Sequence, residues 1–125
     1  MSAHQITLTP YADTIGMTVD RWEGARPVLA LDYGDAVSGN PGTFHGGVIA
    51  GLMEAAGLAA IGASGGDFRA INTTVEYLRG AGGQRLYAAG TVVRAGRRLS
   101  NVRVEAWQDD PAKPVATAVL NVVPV

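Results

Sequence analysis

The sequence predicts an α+β domain in which one antiparallel sheet carries a single long helix on one face. Three observations lead there. Helical and strand-like segments do not alternate along the chain, so neither a Rossmann nor a (β/α)8-barrel arrangement fits. Four strand-like segments follow one another in the second half, separated by short breaks, and such connections mean antiparallel pairing. The one long helical candidate, Gly46 to about Ala63, is apolar except for a single carboxylate.

Taken in order, Thr9-Pro10-Tyr11-Ala12-Asp13-Thr14-Ile15 reads as a short helix. Thr9 is its cap, Pro10 stands in its first turn and Gly16 ends it. Met17 to Trp22 alternates as a strand does, Glu23-Gly24 is a turn signal, and Val28 to Tyr33 is a second strand. Gly34 to Gly42 is a polar loop rich in Gly, Asn and Pro. The long helix follows, and Ser64-Gly65-Gly66-Asp67 closes it. The last four strands run from about Arg69 to Leu78, Leu86 to Ala95, Leu99 to Gln108 and Val115 to Val123. The breaks between them are Gly80-Ala81-Gly82-Gly83, Gly96-Arg97-Arg98 and Asp109-Asp110-Pro111.

The chain has 125 residues, which fits one domain spanning 1–125. It has no Cys, which removes disulfides, zinc-thiolate centres and thiol nucleophiles together. A net charge of −1 with 17% charged residues argues against an electrostatic nucleic-acid binder. Hydrophobic residues make up 47%, which argues against disorder. The longest apolar stretch, Val48 to Ile61, is broken by Gly51, Glu54 and Gly57. It is shorter than the roughly 20 residues a membrane span needs. The opening Met1-Ser2-Ala3-His4-Gln5 lacks the basic start and apolar run of a signal peptide, so a cytoplasmic protein that binds no membrane is expected. His4 and His45 are too far apart in sequence to suggest a metal site.

An apolar helix without a polar stripe should be buried on nearly every side. One sheet covers one side, so the remaining surface calls for a second subunit. Glu54 then stands where a carboxylate is costly, with the small residues Ala50, Gly51 and Gly57 three or four positions away. Two readings remain open: a reactive acid with room for a substrate beside it, or an acid at the helix margin whose neighbouring glycines permit close packing. Gly46 and Gly47 follow His45 at the helix start, and their side-chain-free N–H groups lie at the positive end of the helix dipole. That is a site for a carbonyl oxygen gaining negative charge. Gly46 and Glu54 are about 12 Å apart along a helix, too far for one carbonyl to touch both. If both act on one substrate, two long helices must lie antiparallel in a symmetric dimer.

The run Asn40-Pro41-Gly42-Thr43-Phe44-His45-Gly46-Gly47, with Glu54 nine residues after the His, resembles the hotdog-fold acyl-CoA thioesterases. The likeness is to the PaaI-like branch of the 4-hydroxybenzoyl-CoA thioesterase superfamily. Val75-Glu76-Tyr77-Leu78-Arg79 resembles that family's strand end, and Arg94-Ala95-Gly96-Arg97-Arg98-Leu99 its Gly-Arg hairpin. The likeness runs from about residue 10 to the end of the chain. It implies the hotdog fold, a long central helix wrapped by a curved antiparallel sheet of about five to six strands. It also implies a homo-oligomer, either a dimer or a dimer of dimers, with the active site at the dimer interface.

The resemblance assigns Glu54 as the catalytic carboxylate, acting as general base or nucleophile, and Gly46 as the N–H that polarises the thioester carbonyl. Asn40 would order the site, and His45 would support its loop more than act as a base. Gly47 would line the substrate site. Asn72 or Thr73 would hydrogen-bond the acid or its water. Arg79, Arg97 and Arg98, with Ser100 nearby, are candidates for the CoA phosphates. The implied substrate is an acyl-CoA, aryl or fatty, with CoA part of the substrate and no resident cofactor. Two rivals share the fold: a non-catalytic acyl-CoA-binding sensor, and a dehydratase or hydratase with His as base. Two departures from the family pattern are Gly80 in place of Pro and Glu in place of the commoner Asp at the catalytic position.

Overall fold

A computed structural model describes residues 6 and 8–125. Its elements are α1 (Pro10–Ile15), β1 (Thr18–Glu23), β2 (Arg26–Leu31), α2 (Gly46–Gly62), β3 (Phe68–Tyr77), β4 (Leu86–Arg94), β5 (Ser100–Trp107) and β6 (Ala116–Pro124). A single 3-10 turn, Asp35–Val37, interrupts the loop before α2. The local chemistry explains the ends of α1. Thr9 Oγ1 accepts the Ala12 N–H at 3.2 Å, and Gly16 takes the left-handed conformation that closes the helix, with φ of 85°.

The strands form one sheet in the order β1-β2-β4-β5-β6-β3, every pair antiparallel. This order corrects one expectation. The four-residue break Gly80–Gly83 does not join a hairpin, because β3 pairs with β6 and β4 with β2 and β5. The connecting chain instead binds the loop before α2. Phe44 N–H donates to Ala81 C=O at 2.9 Å, and Thr43 and Gly82 form an isolated bridge. These bonds carry the chain across the sheet and leave β3 as an edge strand.

Along β5 and β6 alternate residues face the helix. In β5 the residues Ser100, Val102, Val104 and Ala106 are buried, and in β6 Ala116, Ala118, Leu120 and Val122. Against them α2 packs Val48, Ile49, Leu52, Met53 and Ala56. Helix and sheet meet most closely at two glycines. A Cβ on Gly57 would lie 2.7 Å from Leu120 Cδ2, and one on Gly90 would lie 3.0 Å from Gly57 Cα. Side-chain-free positions are therefore what let α2 settle onto β4, β5 and β6.

The helix is not enclosed on every side. Gly47 and Glu54 are exposed, and Gly46, Ala50, Gly51, Ala55 and Leu58 are half-buried, which defines an open flank beside β3. Within one chain the sheet covers one side of the helix, as the sequence leads one to expect, and Tyr11 of α1 packs over Gly51 on the other. Among the described residues, no helix is long and apolar enough to cross a membrane.

Candidate active site

β3 runs back along α2 and meets it at two polar points. Thr73 Oγ1 donates to Glu54 Oε2 at 3.0 Å, and Tyr77 Oη donates to the Gly46 carbonyl at 2.7 Å. Glu54 projects from the middle of α2 onto the exposed flank, so its carboxylate is held by Thr73 and open to solvent. Of the two expected partners for the acid, Thr73 makes the bond. Asn72 points to the other face of the sheet, where its Oδ1 accepts from Asn121 Nδ2 at 2.7 Å, and Asn121 in turn accepts from Asn101. Adjacent strand residues face opposite sides, so only one of the pair could reach the helix.

At the start of α2, His45 is the cap. It is extended at φ −65° and ψ 135°, and its Nδ1 accepts the Gly47 N–H at 3.0 Å. The bond requires the neutral imidazole with its proton on Nε2. It corrects the expectation of two open N–H groups: the Gly47 N–H is occupied, whereas the Gly46 N–H has no acceptor among the described residues. A Cβ on Gly47 would lie 2.9 Å from the imidazole, which accounts for that glycine within the chain itself.

The loop carrying Asn40 folds over this helix start. Tyr33 Oη bonds Ser38 Oγ at 2.8 Å and accepts the Gly42 N–H at 2.9 Å, and Gly42 turns the chain at φ 84°. His45 N–H donates to Val37 C=O at 2.8 Å. The Asn40 carbonyl closes the turn by accepting from Thr43, while its side chain is exposed and makes no hydrogen bond to a described residue.

The expected phosphate contacts separate. Arg79 follows β3 at the end of the sheet where Tyr77 pairs with Ala116. Arg97 and Arg98 sit in the β4–β5 turn at the opposite end, near where Ser100 pairs with Val122. Six steps along β6 span that distance, roughly 20 Å, so one chain cannot bring all three arginines to one phosphate. All three side chains are exposed. Ser100 is corrected outright. It is 2% exposed, its Oγ accepts the Gly96 N–H at 3.0 Å and donates to the Gly96 carbonyl at 3.3 Å, so it shapes the hairpin from inside.

Sequence reasoning missed Tyr77 as a site residue. The residue was part of the strand-end motif, but its contact with Gly46 crosses 31 positions and follows only from β3 lying on α2. Among the described residues there is no group of three His, Cys, Asp or Glu placed to hold a metal ion, and His4 lies outside them.

Comparison with known proteins matches this chain to the thioesterase superfamily over residues 41–115. The medium/long-chain acyl-CoA thioesterase YigI of Salmonella typhimurium is 31% identical over 119 residues, covering 81% of this chain and 77% of that protein. Among solved structures, the PaaI protein of Escherichia coli, from the phenylacetic acid degradation operon, superposes with a TM-score of 0.83 at 19% identity. That match covers 94% of this chain and 85% of PaaI. A thioesterase of Haemophilus influenzae superposes at 0.84 with 16% identity, over 92% of this chain and 82% of that one. The chain belongs to the thioesterase superfamily, as a hotdog-fold enzyme that hydrolyses thioesters.

Proposed function

We propose that the protein hydrolyses acyl-CoA thioesters at a site shared by two chains, with a fatty acyl group of medium or long length as the favoured substrate. The observation that carries the reading is the pair of groups on the open flank of α2. A Gly46 N–H with no acceptor among the described residues stands at the positive end of the helix, and an exposed, Thr73-held Glu54 stands about 12 Å further on. The similarity to YigI supports the acyl class.

β3 supports the two-chain arrangement. It is a ten-residue edge strand with Ile71 and Tyr77 each 54% exposed. An edge strand of that length offers a row of unpaired backbone N–H and C=O groups to another chain. Two copies related by a twofold axis, joined β3 to β3, bring their α2 helices side by side and antiparallel. Glu54 of one chain then faces Gly46 of the partner subunit. The same symmetry brings Arg79 to the end of the seam that holds Arg97 and Arg98 of the partner subunit, so the three separated arginines converge on one CoA.

In this mechanism the thioester oxygen accepts the Gly46 N–H, which stabilises the negative charge that builds as the carbonyl is attacked. Glu54 Oε2 is fixed by Thr73. The other carboxylate oxygen takes a proton from the attacking water as general base, or attacks the carbonyl itself to form an acyl anhydride that water then hydrolyses to the free acid. Asn40, with its side chain unengaged, orders the water or the substrate. The leaving group is the CoA thiolate. His45 acts through its cap, with Nδ1 committed to Gly47.

The test is thiol release from a panel of acyl-CoAs by wild type and Glu54→Gln. Release by the wild type that falls at least about 100-fold in the variant is expected for loss of an acid–base group. Equal release by both would remove Glu54 from the chemistry. Binding of acyl-CoA without release would favour the sensor reading.

A further inference from the structure

We infer that Tyr77 is a positioning residue for the oxyanion site, holding the Gly46 N–H in place from the edge strand; the inference rests on the hydrolytic reading above. The peptide unit joining Gly46 to Gly47 is gripped at both ends. Its carbonyl accepts Tyr77 Oη at 2.7 Å, and its N–H donates to His45 Nδ1 at 3.0 Å. The preceding peptide unit, which carries the Gly46 N–H, is held by its own carbonyl: His45 C=O accepts Val48 N–H at 3.0 Å and Ile49 N–H at 3.1 Å. Gly46 Cα therefore sits between two fixed planes.

Two consecutive glycines are the least restrained backbone a chain can have. An oxyanion donor acts only if it already points at the oxygen when charge develops. The first turn of α2 needs glycine on one count, since a Cβ at Gly47 would strike the His45 ring, and it needs rigidity on the other. Tyr77 meets both needs. Its ring lies 3.6 Å from where a Gly46 Cβ would stand, an ordinary contact, and its hydroxyl ties the turn to β3. Tyr77 is 54% exposed on the strand that forms the proposed seam, yet its hydroxyl turns back onto the helix. Pairing of β3 with a second copy would stiffen the strand from which the clamp is hung.

Tyr77→Phe keeps the ring and removes only the hydroxyl. Amide hydrogen exchange of Gly46 and Gly47, followed by NMR, reads the clamp without reference to activity. Steady-state hydrolysis of the best acyl-CoA reads its consequence. The expected result is exchange about fivefold faster at Gly47 and kcat about fivefold lower, with KM and thermal stability little changed. Unchanged exchange overturns the clamp whatever the activity. Faster exchange with unchanged kcat, or a loss confined to KM, overturns the positioning role. A wild type that turns over no substrate fails the mechanism instead, which separates the two failures.

Discussion

An added methyl group would meet different surroundings at the two glycines that open α2. At Gly47 it would press on the His45 imidazole and break the cap, so Gly47→Ala should lower stability by about 1 kcal/mol, read by denaturant unfolding. At Gly46 it would lie 3.6 Å from Tyr77, so Gly46→Ala should fold as the wild type does. Gly46→Pro asks the functional question. Proline suits the first helical position, and His45 is already extended as a residue before proline must be. The variant should keep its stability and lose roughly 100-fold or more in kcat, the usual cost of an oxyanion donor. Thr73→Val tests the acid's support, with an expected loss of about five- to tenfold in kcat and an intact fold. At this scale the sequence was informative where a residue's role is local. The lone acid was visible in the helix, and the family resemblance narrowed its partner to Asn72 or Thr73; the cap made by His45 was not anticipated. Only the strand's pleat, absent from composition, decides between Thr73 and Asn72.

The elements were legible because their punctuation is chemical. Thr9, Pro10 and Gly16 bound α1, and the Gly-rich and Asp-rich breaks fall between the observed strands. What could not be read was the strand order. A short Gly-Ala-Gly-Gly connection looks like a hairpin, and only the bonds from Thr43 and Phe44 to the segment at Ala81 and Gly82 show that it crosses the sheet. Helix–sheet packing yields its own prediction. Gly57→Ala forces a methyl against Leu120 and Val104 and should destabilise by about 1–3 kcal/mol, the cost of overpacking a filled core, with a matching fall in thermal midpoint. Ser100→Ala removes both bonds to Gly96. It should lower stability by about 1 kcal/mol and leave KM for acyl-CoA unchanged, since Ser100 faces the interior.

For the whole molecule, the apolar helix raised the expectation of a second chain, and the proposed seam gives that expectation a location. The open flank of α2 lies beside β3, an edge strand carrying exposed Ile71 and Tyr77. Arg79, Arg97 and Arg98 looked like one phosphate grip in sequence. In the chain they occupy opposite ends of the sheet, and the proposed twofold seam would bring them together. Arg97→Ala with Arg98→Ala should therefore raise KM for acyl-CoA about tenfold while leaving kcat near the wild-type value, as lost uniform binding does. The central claim is that Glu54 of one chain works with Gly46 of the partner subunit, and complementation tests it most directly. Glu54→Gln and Gly46→Pro chains, each inactive alone, are co-expressed and assayed together. Random pairing makes half the dimers mixed, each with one complete site, so about a quarter of wild-type activity should return. A co-expressed mixture as inactive as its parents, with mixed dimers demonstrated by mass spectrometry, would contradict the shared site.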